Sequence, residues 1–198
     1  MLLRRHAEGD PEAFGLLFRR HSGRLWAVAL RVTCDPDDAA DALQEAMISA
    51  FRRAGDFRGE SAVTTWLHRI VVNASLDLLR RRSAHSVPWS GEPDDLPLPE
   101  PRQGTDSVAV TDSRLDVNAA LGTLPPPQRA ALVLVDMLGY PVADAAVILG
   151  VSEGTVKSRC ARGRTRLLPY LSHLRTRSPG EGNQAVADGV PSEQGGGA

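Results

Sequence analysis

Gly150-Val151-Ser152-Glu153-Gly154-Thr155-Val156-Lys157-Ser158-Arg159-Cys160-Ala161-Arg162-Gly163-Arg164 is the stretch on which the reading of this chain turns. Ser152 is a helix N-cap, placed just after a glycine suited to a tight turn. Val156, Cys160, Leu167 and Leu171 then recur at i, i+4, i+11 and i+15, one inward stripe of a helix. Thr155, Lys157, Ser158, Arg159, Ala161 and Arg162 are left for solvent or a ligand. A second short helix, Val142–Leu149, precedes Gly150, so the pair reads as a helix-turn-helix. A basic outer face on the second helix of such a pair suits a DNA major groove. Arginine and lysine reach guanine edges, and hydroxyls and backbone donors reach phosphates. The competing reading, ordinary solvated charge, explains the basic residues but not the helix-turn-helix in front of them. Gly163 is an anomaly here, costing about 1 kcal/mol of helix propensity relative to alanine.

Working outward, Leu115, Ala119 and Leu121 precede a stop at Leu124-Pro125-Pro126-Pro127, and residues 128–138 form a helix ended by Gly139. Residues 113–171 are thus expected to form a second helical domain. Upstream, residues 83–112 hold five prolines in fourteen positions with six acids against one arginine, which predicts an extended acidic linker. Residues 1–82 read as a first helical domain. Asp10-Pro11 opens a helix carrying Phe14, Leu17, Phe18, His21 and Leu25 on one stripe. Asp35-Pro36-Asp37-Asp38 opens the next, with acids where the helix dipole favours them. Its inward stripe is Ala39, Leu43, Ala46 or Met47, and Ala50, while Asp41, Gln44 and Glu45 lie on another face. Residues 55–59 form a loop, and a third long helix spans 63–82. Residues 172–198, with six glycines and no periodicity, are expected to be disordered. The fold class is therefore all-α, two small helical domains joined by a flexible acidic linker.

The 198 residues allow one or two domains, and 42% hydrophobic residues suffice for a core. The overall charge of −1 conceals opposed blocks: net +2 over 1–82, −5 over 83–112, +5 over 113–177 and −3 over 178–198. Such segregation points to several surfaces with different partners. Cys34 and Cys160 have no metal-ligand spacing and make no disulfide framework, which favours a reducing cytoplasm and no metal. The N-terminus has no apolar signal region, and no apolar run is long enough to insert in a membrane. No catalytic ordering, paired carboxylate site or phosphate-cradling glycine loop appears, so neither an enzyme nor a cofactor is expected.

Several ordered motifs resemble one family. Residues 150–159 resemble region 4 of the extracytoplasmic-function (ECF) sigma factors, and Leu124-Pro125-Pro126-Pro127-Gln128-Arg129 matches the opening of that region. Asp38-Ala39-Ala40-Asp41-Ala42-Leu43-Gln44-Glu45 is similar to a stretch of region 2. Phe57-Arg58-Gly59-Glu60-Ser61, Thr65-Trp66-Leu67, Ile70, Asn73, Asp77 and Arg80-Arg81 resemble its promoter-opening helix. Within the family the chain looks most like the actinobacterial SigM-type branch. Pro141 and Ala143 depart from the family's usual hydroxyl cap and acid.

The resemblance implies a protein that binds core RNA polymerase and promoter DNA. By analogy Asp41, Gln44 and Glu45 dock on the polymerase. The helix 63–82 engages the −10 element, with Asn73 reading a base, Asp77 on the same side, and Arg80 and Arg81 neutralising phosphates. Trp66 is open between core packing and stacking on a base. Lys157, Ser158 and Arg162 read the −35 element, and Thr155 and Arg159 fix the backbone. The acidic linker either threads the polymerase channel or merely tethers two DNA-binding domains. The resemblance also implies an anti-sigma factor as partner. The alternative is a helix-turn-helix regulator acting without polymerase, which leaves residues 1–112 unexplained.

Overall fold

The computed structural model describes residues 2–86 and 112–175, and the described residues contain α-helix and no strand. Residues 87–111 of the expected linker and 176–198 of the expected tail lie outside them. Three long helices make the first unit: α2 (Ala13–Thr33), α3 (Pro36–Arg52) and α4 (Val63–Ser86), all mutually packed, with the short α1 (Leu2–Ala7) against α2. The start of α3 follows the expected rule: the Asp35 carboxylate accepts from the Asp38 amide at 2.9 Å, with Pro36 next. The start of α2 lies later than Asp10-Pro11 predicts. Asp10 instead binds the Glu12 amide at 2.9 Å and the Arg5 guanidinium at 2.7 Å, closing the turn before the helix.

The inward face of α3 is narrower than expected. Ala39, Ala42, Ala46 and Ala50 are fully buried, whereas Leu43 and Met47 are only half-buried. Alanines let α3 lie close to α2 and α4, which pushes the larger side chains sideways. α4 begins at Val63 as expected and continues to Ser86, four residues past 82.

The second unit comprises α5 (Asp112–Gly122), α6 (Pro126–Leu132), α7 (Val142–Leu149) and α8 (Glu153–Arg175). In α5, among the described side chains of residues 117–122, Ala120 and Leu121 are buried and Ala119 is exposed, and the expected Leu115 lies outside them. α6 begins at Pro126, with Pro125 as its cap residue, and passes into a π-helical turn, Val133–Met137, that the periodicity did not reveal. Gly139 and Gly150 both adopt positive φ, +72° and +66°, ending helices as expected. Ser152 Oγ accepts from the Thr155 amide at 3.2 Å and caps α8. α8 reaches Arg175, beyond 171.

Gly163 now has a reason. A Cβ built there would stand 2.7 Å from Leu132 Cδ1 and 3.2 Å from its Cγ, and Leu132 is itself buried. The missing side chain lets α6 and α8 touch.

The two units share one core. A single cluster of buried side chains runs from Leu25, Val28 and Val71 through Leu121 and Leu124 to Ile148 and Val156. At the seam sits Arg129, 1% exposed. Its Nη1 donates to the carbonyls of Val32 (2.8 Å) and Thr33 (3.1 Å) at the C-terminus of α2. Its Nη2 donates to those of Leu124 (2.8 Å) and Gly122 (3.4 Å) after α5. Two helix ends thus present unpaired carbonyls and negative dipole ends to one cation.

Gly163→Ala gains up to about 1 kcal/mol of helix propensity but overpacks the α6–α8 contact, a loss of about 1–3 kcal/mol. The expected result is a net destabilisation, read as a lower melting temperature. A raised melting temperature would show that Leu132 yields freely.

Candidate nucleic-acid and protein interfaces

On α8 the expected −35 residues fall into two groups. Lys157 and Arg162 are exposed, while Thr155, Ser158 and Arg159 are half-buried. Several are held locally. Ser158 Oγ donates to the Thr155 carbonyl at 3.0 Å, Thr155 Oγ1 shares a hydrogen bond with Ser152 Oγ at 2.9 Å, and Lys157 lies 3.7 Å from Glu153. Val156 and Cys160 are buried and face the core, as the stripe predicts, and burial pushes the Cys160 thiol's pKa up. Further along, Arg164 makes a two-pronged pair with Asp136 at 2.9 and 2.7 Å, which ties α8 to the π-helical turn.

On α4 the expected −10 residues are not equally available. Asp77 and Arg80 are exposed and pair with each other. Arg81 reaches across to α3 and donates to Glu45 at 2.6 Å. One residue assigned to DNA and one assigned to a protein partner therefore share an ion pair. Trp66 is half-buried, packs on the core, and stands edge-on to Phe57 with ring centroids 5.6 Å apart. Asn73 is half-buried, and its Nδ2 donates to the Ile148 carbonyl of α7 in a long contact of 3.5 Å. In the preceding loop Gly59 holds φ +78°, open to chain conformations closed to other residues.

Asp41, Gln44 and Glu45 are all exposed on α3, as expected. Beside them lies a feature the sequence reading did not isolate. A groove of about 890 Å³ between α2 and α3 is lined by Phe14, Phe18, Leu43, Gln44, Met47 and Phe51. Phe18 is 38%, Ile48 45% and Phe51 52% exposed. Large apolar side chains left at a rim of this kind mark contact surfaces. The available signal was the alanine stripe of α3: once Ala42 and Ala46 face inward, Leu43 and Met47 cannot.

A polar contact also bridges the units. His68 on α4 is buried, with Nδ1 2.8 Å from the Tyr140 hydroxyl. Burial, reinforced by the nearby His21 and Arg24, pulls its pKa below the ordinary 6.5. Among the described residues there is no cluster of ligating side chains for a metal and no helix long and apolar enough to cross a membrane.

The arrangement, an acid-faced three-helix unit followed by a helix-turn-helix with a basic outer face, is that of a sigma-70-type transcription initiation factor. The sigma-70 region 2 profile matches residues 17–85, and the sigma-70 region 4 profile matches residues 114–167. The ECF RNA polymerase sigma factor SigM of Mycobacterium tuberculosis is 50% identical over 175 residues, covering 88% of this chain and 85% of that protein. SigE of Mycolicibacterium smegmatis, also an ECF sigma factor, is 37% identical over 84% of this chain and 65% of that one. Among solved structures, the sigma factor RpoE in complex with the anti-sigma factor NepR, from Bartonella quintana, superposes with a TM-score of 0.61. It is 26% identical and covers 81% of this chain and 98% of that one. CnrH in complex with the cytosolic domain of CnrY gives a TM-score of 0.59 at 27% identity, covering 89% and 97%. The chain belongs to the ECF RNA polymerase sigma factors.

Because the folded state holds His68 neutral, it takes up fewer protons than the unfolded chain. Its stability contribution is complete above about pH 6.5 and is lost as pH falls through the lowered value. The melting temperature should therefore drop between pH 7.5 and 5.5. His68→Gln should show a shallower drop, with the remainder owed partly to His21, whose value burial also lowers. Identical pH profiles would show that His68 is not held neutral.

Proposed function

We propose that this ECF sigma factor docks on core RNA polymerase through the exposed face of α3 and reads the −10 and −35 elements through α4 and α8. The observation that carries the docking reading is the continuity of Asp41, Gln44 and Glu45 with the apolar groove, since Gln44 belongs to both. Carboxylates supply charge-assisted bonds to basic side chains on the polymerase, and Leu43, Met47 and Phe51 supply apolar burial beside them. On α4, Asn73 offers a donor and an acceptor to a base edge, and Arg80 and Arg81 neutralise phosphates. Asp77 positions Arg80, and Trp66 supports the helix from the core side. On α8, Lys157, Ser158 and Arg162 face base edges, while Thr155 and Arg159 hold the backbone. Domain limits follow the same scheme: region 2 over 1–82, an acidic linker over 83–112, region 4 over 113–171 and a tail beyond. The protein works in the cytoplasm without a cofactor, is no enzyme, and is restrained by an anti-sigma factor until a signal releases it. The relative RpoE, co-crystallised with the anti-sigma factor NepR, supports this last point.

Run-off transcription with core polymerase tests the whole reading. Charge reversal of Asp41 and Glu45 should weaken polymerase binding while the isolated chain stays folded. Because Glu45 also pairs with Arg81, Asp41→Lys alone is the cleaner variant. Unchanged affinity in a titration would remove the docking assignment.

Arg162→Ala should flatten the preference at one −35 base pair, a loss of about 1–3 kcal/mol. Arg159→Ala should weaken all sequences alike. A fluorescence titration of the full chain against duplexes varied one pair at a time separates these outcomes. An unchanged preference profile for Arg162→Ala would show that this side chain does not read sequence.

A further inference from the structure

We propose that Cys34 is an oxidation site: a hydroperoxide converts its thiol to a sulfenic acid, and the added oxygen accepts a hydrogen bond from Nε of Arg129.

Two independent observations meet at this place. The first is an orphan donor. Arg129 is 1% exposed, and its Nη1 and Nη2 donate to four backbone carbonyls, yet its buried Nε–H has no acceptor. Leaving a buried donor unpaired is costly, and native structures seldom do so. The second is Cys34 itself. It stands one residue past α2 at φ +60°, the one non-glycine residue with positive φ among the described residues. Glycine usually takes that place after a helix. Here a half-buried thiol takes it, against Gly122, where a Cβ would stand 3.9 Å from Cys34 Cβ. Gly122 in turn gives its carbonyl to Arg129. The thiol donates to the Arg31 carbonyl at 3.5 Å. It is close enough to interact with the guanidinium, yet it leaves Nε without an acceptor. One oxygen atom bonded to Sγ supplies that acceptor.

The reaction balances with a hydroperoxide as the sole oxidant. The Cys34 thiol loses its proton to solvent, and the thiolate sulfur attacks one peroxide oxygen. An S–O bond forms as the O–O bond breaks. Sulfur is oxidised by two electrons, and the departing oxyanion takes a proton from solvent to leave as an alcohol or water. Burial raises the thiol's pKa and the guanidinium lowers it, burial being the larger effect. Thiolate is therefore scarce at neutral pH, and the rate climbs as pH rises. The other thiol, Cys160, is 3% exposed within the apolar core of α8 and serves as an internal comparison. The new hydrogen bond adds to the hold of α6 on the end of α2, so the oxidised chain is the more stable one.

The test treats the full wild-type chain with hydrogen peroxide and dimedone, which traps sulfenic acids, and reads the adducts by peptide mass spectrometry. Cys34 should be labelled about tenfold or more faster than Cys160, at a rate that rises between about pH 7 and 9. Without dimedone, Cys34 should gain one oxygen atom and the melting temperature should rise by about 2–4 °C. Dithiothreitol should reverse both changes. Cys34→Ala should show no rise. In proton–nitrogen spectra the Arg129 Nε–H signal, assigned by its loss in Arg129→Lys, should move downfield on oxidation as it gains an acceptor. An unlabelled Cys34 in the folded chain, equal labelling of Cys160, or a Cys34–Cys160 disulfide in place of the sulfenic acid would overturn the oxidation site. An oxidised Cys34 with an unmoved Nε–H signal and no rise in melting temperature would overturn the part given to Arg129.

Discussion

A guanidinium buried between two helix C-termini holds the second half of this structure to the first. Arg129 lies at the end of two sets of carbonyls, those of α2 and those following α5, and bonds to both. Burying a cation costs several kcal/mol, and burial here does lower the arginine's pKa. The cost is offset because helix ends already need partners for their last carbonyls, and their dipoles favour positive charge. One nitrogen, Nε, has no acceptor. The neighbouring Cys34, at φ +60° just past α2, interacts with the guanidinium, and burial raises the pKa of its thiol. The seam is thus satisfied mostly by backbone, which ties its geometry to helix ends rather than to side-chain chance.

From that constraint the rest follows in order. With α2 and α5 fixed end to end, α6 and α7 lie against α2 and α4, and the apolar cluster closes across the seam. α8 then packs on α6, a fit possible because Gly163 leaves room for Leu132. The basic side of α8 is left outward, and α3 keeps its acids and its apolar groove exposed. The surfaces proposed for DNA and for protein meet at Arg81 and Glu45, where a residue proposed to engage the −10 element and one proposed to dock on polymerase form one ion pair. That pair is exposed and of little worth to stability, so it costs little to break when either partner binds.

Much of this was legible from local chemistry. Caps at Asp35 and Ser152 and glycine stops at Gly139 and Gly150 depend on a few adjacent residues, and each appears where the pattern puts it. Of the 3.6-residue stripes, that of α8 is buried at Val156, Cys160 and Leu167, whereas Phe18 of the α2 stripe is exposed and Leu43 and Met47 of the α3 stripe are only half-buried. The inward choice of Val156 and Cys160, and hence the outward basic side of α8, is fixed by that same periodicity. So is the exposure of Asp41, Gln44 and Glu45. The family, too, was legible, because its motifs are ordered along the chain.

What only the tertiary structure decided are the choices that depend on residues far apart. Leu43 and Met47 look as inward as Ala46 in a helical stripe; the close approach of α3 to α2 and α4 admits alanine and turns the larger pair into the wall of a groove. Gly163 looks like a helix defect until Leu132, thirty-one positions earlier, is placed against it. Asn73 looks free to read a base, yet its partner is a carbonyl seventy-five residues away. Arg129 stands in the sequence only as the last residue of the Leu124–Arg129 motif, yet its partners are ninety-six and ninety-seven residues upstream. Periodicity reports which side of a helix is apolar, because that is local. It carries no information about which distant backbone a long polar side chain will meet, and at this seam that pairing sets how the two halves sit.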